Sequence, residues 1–179
     1  KESFIKEVQA TKKLQLINIE DLNIRGILLR QIFVTTIAAL EAYLSEIFIN
    51  KTLSQQYLLE RFIKNHPEFK KQKISVSDIH ATMRDIKERA KTLMLSTTYH
   101  NLPVVREMFI QTFDINFPDI VPMQEHIRTR HDLVHRNGKT KEGKLVFVDD
   151  RLIGQLQHES TKFVRELDHN LNSDDFIPF

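Results

Sequence analysis

Three histidines and three arginines crowd one short run, His126-Ile127-Arg128-Thr129-Arg130-His131-Asp132-Leu133-Val134-His135-Arg136-Asn137-Gly138. Imidazoles titrate near neutral pH and can take or give a proton, while guanidinium groups stay charged and match the geometry of a phosphate. On a helix that turns by about 100° per residue, Met123, Ile127 and Val134 share one apolar stripe and Arg130 projects from the same side. An arginine on a core-facing stripe needs a partner or a task. His131 lies about 100° and His135 about 140° round from Arg130, so both occupy one flank, one turn apart.

Three chemistries suit these residue types. His131 and His135 at i, i+4 could hold a divalent metal with a carboxylate from elsewhere, although the position that would complete H-E-x-x-H is Asp132. The cluster could instead be structural, with histidines favoured near a helix C-terminus and Arg130 paired to Glu41 inside a bundle. Finally, two imidazoles and a guanidinium suffice to cleave RNA without a metal. The 2′-hydroxyl needs a base, the leaving 5′-oxygen an acid, and the phosphorane a cation.

Composition narrows the field. The 179 residues contain no cysteine, which excludes disulfides, thiolate metal sites and cysteine nucleophiles. Gly26, Gly138, Gly143 and Gly154 are the four glycines, and their spacing builds neither a dinucleotide fingerprint nor a phosphate loop. No cofactor is implied. Glu41 and Glu46 interrupt the most apolar stretch and the first residues lack a signal-peptide core, so a cytoplasmic protein without membrane contact is expected. The formal charge of +2 conceals segregation. Residues 61–91 carry nine Lys and Arg against four Asp and Glu, residues 124–148 carry six against three, and residues 149–179 carry three against seven. Two basic stretches suit a polyanion, or are simply solvated helix faces.

The elements that must position the cluster follow from periodicity and breakers. Sparse Gly and Pro with abundant Leu, Ile, Lys, Glu and Gln predict an all-α fold, a helical bundle forming a single domain over 1–179. Helices are expected over 2–17, 24–53, 54–66, 77–95, 102–113, 121–137 and 150–171. Residues 69–74 read as a basic loop, and 144–148 as at most one short extended segment. The second helix, apolar on nearly every side from Gln31 to Asn50, is expected at the centre. Ser77 with Asp78, and Asp149 or Asp150, are candidate N-caps, and Gly138 a left-handed C-cap.

The string Arg130-His131-Asp132-Leu133-Val134-His135 followed by Arg136-Asn137-Gly138 reads R-x-x-x-x-H with a polar residue directly after the Arg. It resembles the signature of the HEPN superfamily (higher eukaryotes and prokaryotes nucleotide-binding), in particular the RiboL-PSP-HEPN type, in which RH-x-x-VH-x-x-G ends a bundle helix. Ala38-Ala39-Leu40-Glu41-Ala42-Tyr43-Leu44 is similar to the family's early A-L-E-x-Y-L helix. A single extended piece after the glycine, a long amphipathic last helix and the overall size extend the resemblance over nearly the whole chain.

The resemblance implies a homodimer in which two motifs face each other, acting as a metal-independent endoribonuclease that leaves 2′,3′-cyclic phosphate and 5′-hydroxyl ends. Such proteins serve toxin–antitoxin or anti-phage defence, with an antitoxin or sensor protein as a possible partner. Arg130 and His135 match the catalytic pair, His131 the variable polar position and Glu41 the acidic residue of the early helix. RNA would be held by Arg128, Arg136, Asn137, Lys139, Lys141 and Lys144, together with the basic residues of 61–91. Asn137 stands where some HEPN toxins carry the Tyr modified by an adenylylating antitoxin, a departure that removes that target. The alternative reading is a non-catalytic HEPN-like RNA-binding or dimerisation module of a larger defence protein.

Overall fold

The computed structural model describes residues 1–73, 75 and 79–173, the side chain of His80 excepted. Eight helices follow one another among these residues: α1 (Glu2–Gln15), α2 (Leu22–Ser54), α3 (Gln56–Asn65), α4 (Pro67–Lys70), α5 (Ile79–Leu95), α6 (Leu102–Phe113), α7 (Val121–His135) and α8 (Asp150–Asn172). The fold is all-α, with one isolated antiparallel bridge between Lys139 and Leu145. The proposed cap at Ser77 and Asp78 lies outside the described residues, as do Ile74 and the apolar end Phe176–Phe179.

Packing gathers the chain, expected as one domain over 1–179, into two compact units that both draw on α2. One holds Lys1–Tyr43 and the described residues from Pro118 on; the other holds Leu44–Phe117. Helix α2 is long and apolar enough to cross a membrane by length and composition, and half of its most apolar window is buried within this chain. Ile32, Phe33, Ile37, Leu40, Leu44 and Phe48 are all buried core residues. Each such side chain contributes about 1.5–3 kcal/mol by leaving water.

In the first unit, α1, the N-terminal part of α2, α7 and α8 enclose Phe4, Val8, Phe33, Ile37, Leu40, Tyr43, Met123, Ile153, Leu156, Val164 and Leu167. Apolar residues recur at helical spacing along α8, and Asp149 starts that helix by accepting the Leu152 amide at 2.7 Å. Polar ties fix α1 against α8. Thr11 Oγ1 accepts from Gln157 Nε2 at 3.3 Å in the interior, and Lys1 pairs with Asp168 at 2.7 Å. Asp150 receives both Gln15 and Arg25, the latter at 2.7 Å.

In the second unit the core is aromatic. Phe48 of α2 meets Phe62 of α3, and Phe109 and Phe113 of α6, at ring-centroid distances of 5.7, 4.9 and 5.1 Å. These tilted and edge-on geometries suit the ring quadrupole. Residues 69–74, expected as a loop, begin instead inside the one-turn helix α4. Pro67 fits the first helical position and His66 Nδ1 accepts the Glu68 amide at 3.3 Å, so the chain restarts a helix directly after α3 ends.

Candidate functional site

Helix α7 carries the histidine and arginine cluster. Asp119 accepts the Val121 amide at 3.0 Å and Pro122 sits in the first turn, so the helix begins at the expected residue 121. Its end differs from the expected 137. The helix stops at His135; Arg136 is the C-cap, and both Asn137 (φ 51°) and Gly138 (φ 76°) adopt left-handed backbone. The Asp132 carbonyl accepts the amides of both Arg136 and Gly138, each at 3.1 Å. Asparagine tolerates this conformation better than other side chains and glycine bears no penalty there, so Asn137-Gly138 as a pair turns the chain.

The buried face of α7 is rotated from the expected stripe. Met123 is buried as predicted, but Ile127 is only half-buried and Val134 is exposed, whereas His126 and Asp132 turn inward. The reason is a polar tie that periodicity cannot see. His126 is 3% exposed, its Nε2 lies 2.8 Å from Glu159 Oε2 on α8, and its ring packs 5.9 Å from that of Phe33. With a carboxylate as acceptor, Nε2 carries the proton and donates, and the buried Nδ1 has no hydrogen-bond partner. With that imidazole held inside by the Glu159 carboxylate, the apolar residues on the far edge of the stripe turn toward solvent.

Arg130 follows His126 by one turn and is directed inward as well. Its Nη2 lies 3.7 Å from Glu41 Oε1 of α2, with side chains 17% and 24% exposed. The pairing expected from sequence is therefore present. The Nε of Arg130 is buried without an acceptor, so the guanidinium keeps donors uncommitted within this chain. His131 and His135 stand on the exposed flank, their ring centroids 4.7 Å apart and tilted by 44°. The His131 pKa is lowered, first by loss of hydration and then by the positive charges of Arg136, His135 and Arg130, with Asp132 opposing. Arg136 is held by an ion pair to Asp132, one turn back.

The structure thus brings Glu41 to Arg130 and His131 to His135. It leaves Arg130 on the inner side and His135 on the outer side of the same helix. Arg128 and Asn137 are exposed. Lys139, Lys141 and Lys144 are exposed on a short loop that folds back on the end of α7. Its closure uses Thr140 N–H to the Lys144 carbonyl and Val146 N–H to the Gly138 carbonyl, both at 2.8 Å. The basic residues of 61–91 described here lie on the second unit, nearly all of them exposed.

No group of three or more His, Asp or Glu among the described residues is arranged to hold a metal ion, so the i, i+4 histidines have no third ligand among those residues. Two participants escaped the sequence reading. Glu159 on α8 anchors His126, and Arg30 of α2 reaches the α7 turn so closely that a Cβ on Gly138 would lie 3.3 Å from its Nη1. Arg30 had a signal, a charge within an apolar helix. Glu159 had none, because it looks like any polar residue of an amphipathic helix. No protein-family model, curated protein or solved structure matches the chain.

Proposed function

We propose that the chain is a HEPN-type, metal-independent endoribonuclease acting as a cytoplasmic homodimer. The observation that carries the reading is the exposed His131–His135 ring pair at the end of α7, on the helix whose inner side holds the Glu41-anchored Arg130. Further guanidinium groups, Arg30 and Arg136, surround the same turn. An imidazole takes the proton of the RNA 2′-hydroxyl as O2′ bonds to phosphorus. A second imidazole gives a proton to O5′ as the P–O5′ bond breaks. The products are a 2′,3′-cyclic phosphate and a 5′-hydroxyl, and the arginines compensate the charge gathering on the phosphorane.

The opposite facing of Arg130 and His135 supports a site built from two copies. Each protomer then supplies one His135, one as base and the other as acid, to a phosphate neither could surround alone. His131 stays neutral more readily than a free imidazole because of lost hydration and then its cationic neighbours, and in that state it accepts a hydrogen bond or a proton. Glu41 is a positioning residue that fixes the guanidinium of Arg130.

The test is sequencing of the RNA ends produced by the purified protein and by His135→Ala. Cyclic-phosphate ends that survive EDTA and vanish in the variant are expected. Cleavage that stops in EDTA and returns with zinc would instead favour metal binding by His131 and His135. A second reading, a non-catalytic RNA-binding or dimerisation module of a larger defence protein, draws on the exposed apolar side chains of Val134, Leu145 and Phe147 next to the motif. It predicts salt-dependent RNA binding with no new ends.

A further inference from the structure

The loop after α7 carries an aromatic side chain that the fold does not use. Phe147 is 81% exposed and makes no ring contact; among the described residues Tyr57 is the only other exposed aromatic, at 36%. Leu145 is the one bridged residue of 144–148, and exposure alternates along 145–148. Val148 is buried and Val146 half-buried, while Leu145 and Phe147 both face solvent. The segment is not loose. It is bridged at Lys139 and Leu145 and tied by the Val146 amide to the Gly138 carbonyl, which places Phe147 on a strip fastened to the turn that follows His135.

Cations share the loop with this ring. Lys139, Lys141 and Lys144 lie in it, and its acidic residues are Glu142 and Asp149, the latter capping α8 by accepting the Leu152 amide at 2.7 Å. The Glu142 carboxylate is engaged within the loop by the Thr140 side chain, and the Glu142 backbone amide donates to Thr140 Oγ1 at 3.2 Å. Resting on the ribonuclease reading above, we infer that Phe147 is a stacking platform for an unpaired nucleobase of the RNA, with the three lysines holding the flanking backbone. An exposed aromatic amid lysines on a pinned strip suits a single strand, whose bases offer a free face and whose phosphates meet the cations. A duplex offers only the phosphates. The substrate class is therefore single-stranded or looped RNA, and base identity is read weakly because every base has a π-face.

The chain contains no tryptophan, so Phe147→Trp gives a single reporter. Placed in the full chain with His135→Ala to prevent cleavage, it is titrated with a short single-stranded oligoadenylate and with the same strand annealed to its complement. Saturable change of emission with the single strand, and little with the duplex, is expected. Phe147→Ala should weaken single-strand binding by about 5- to 150-fold while leaving the slope of log affinity against log salt unchanged, since stacking releases no counterions. Replacing the three lysines by Ala should flatten that slope. Unmoved emission while RNA binds overturns the inference and leaves the ribonuclease reading intact. Loss of affinity that accompanies dissociation of a dimer in sedimentation also overturns it, assigning Phe147 to a second copy of the chain. If the unmodified chain neither binds nor cuts RNA, this inference and the functional reading fall together.

Discussion

Replacing Arg130 by Met, alone and with Glu41→Met, separates what the guanidinium does for the fold from what it does for a phosphate. At 3.7 Å and an effective dielectric constant near 20, the pair attracts by about 4.5 kcal/mol before desolvation is counted. Both side chains retain some solvent, and taking them from water costs a large part of that gain. Exposed pairs are worth about 0.2–1 kcal/mol and breaking a fully buried one costs about 3–5 kcal/mol, so a partly screened pair falls near 1–2 kcal/mol. For a chain of this length that lowers Tm by about 2–8 °C. Urea titration of both single variants and the double variant reads the coupling. Arg130→Met should lose about 1–2 kcal/mol, and adding Glu41→Met should recover most of it, because two apolar side chains replace an ion pair at little cost. Cleavage, measured well below both melting temperatures, should stay down by about 100-fold or more in the double variant, the usual loss on removing a group that meets transition-state charge. A double variant that regains stability and also cleaves within about tenfold of the parent would show that Arg130 acts only in the fold.

His131 yields a pH prediction. Its folded pKa is lowered, whereas the unfolded value is about 6.5, so on acidification the unfolded chain takes up this proton first. The contribution of His131 to stability is thus present above pH 6.5 and lost as pH falls from there through the folded value; an NMR titration placing its midpoint above 6.5 would contradict the assignment. His126→Ala should cost about 2–4 kcal/mol in chemical denaturation, since it opens a space beside Phe33 and strips Glu159 of its donor, with cleavage per folded molecule little changed. At the α7 turn, Gly138→Ala should cost about 1–2 kcal/mol in left-handed strain and crowd Arg30, whereas Asn137→Gly should be tolerated within a few tenths of a kcal/mol, both read as shifts in Tm. Phe48→Ala should be the most damaging of the set, about 3–5 kcal/mol in urea, because the ring joins Phe62, Phe109 and Phe113.

Helix existence and order were legible because they rest on local terms that residues declare individually. The lack of Gly and Pro across Ile27–Ser54, the proline at the start of α7 and the carboxylate of Asp149 each point to an element or its boundary, and each is found there. The motif residues were legible for a related reason, since His and Arg at these spacings have few uses, and the expected pairing of Arg130 with Glu41 joins positions 89 residues apart that both break an apolar face. Periodicity failed where a buried polar pair outweighed it. No pattern along α7 distinguishes His126, which turns inward to Glu159, from Val134, which turns out, because the choice depends on an acceptor on α8 brought alongside only when the helices pack. Short-range closure decided the rest. One turn of helix at Pro67–Lys70 and the return of residues 144–148 onto Gly138 depend on a few local hydrogen bonds that no periodic pattern announces. The sequence by itself therefore determined which residues lie on which helices and which of them are fit to handle a proton or a phosphate. Tertiary packing alone decided which face of α7 is inside, that His126 is anchored by Glu159, and that Phe147 stands in solvent, because burial is a property of pairs of elements and not of either one.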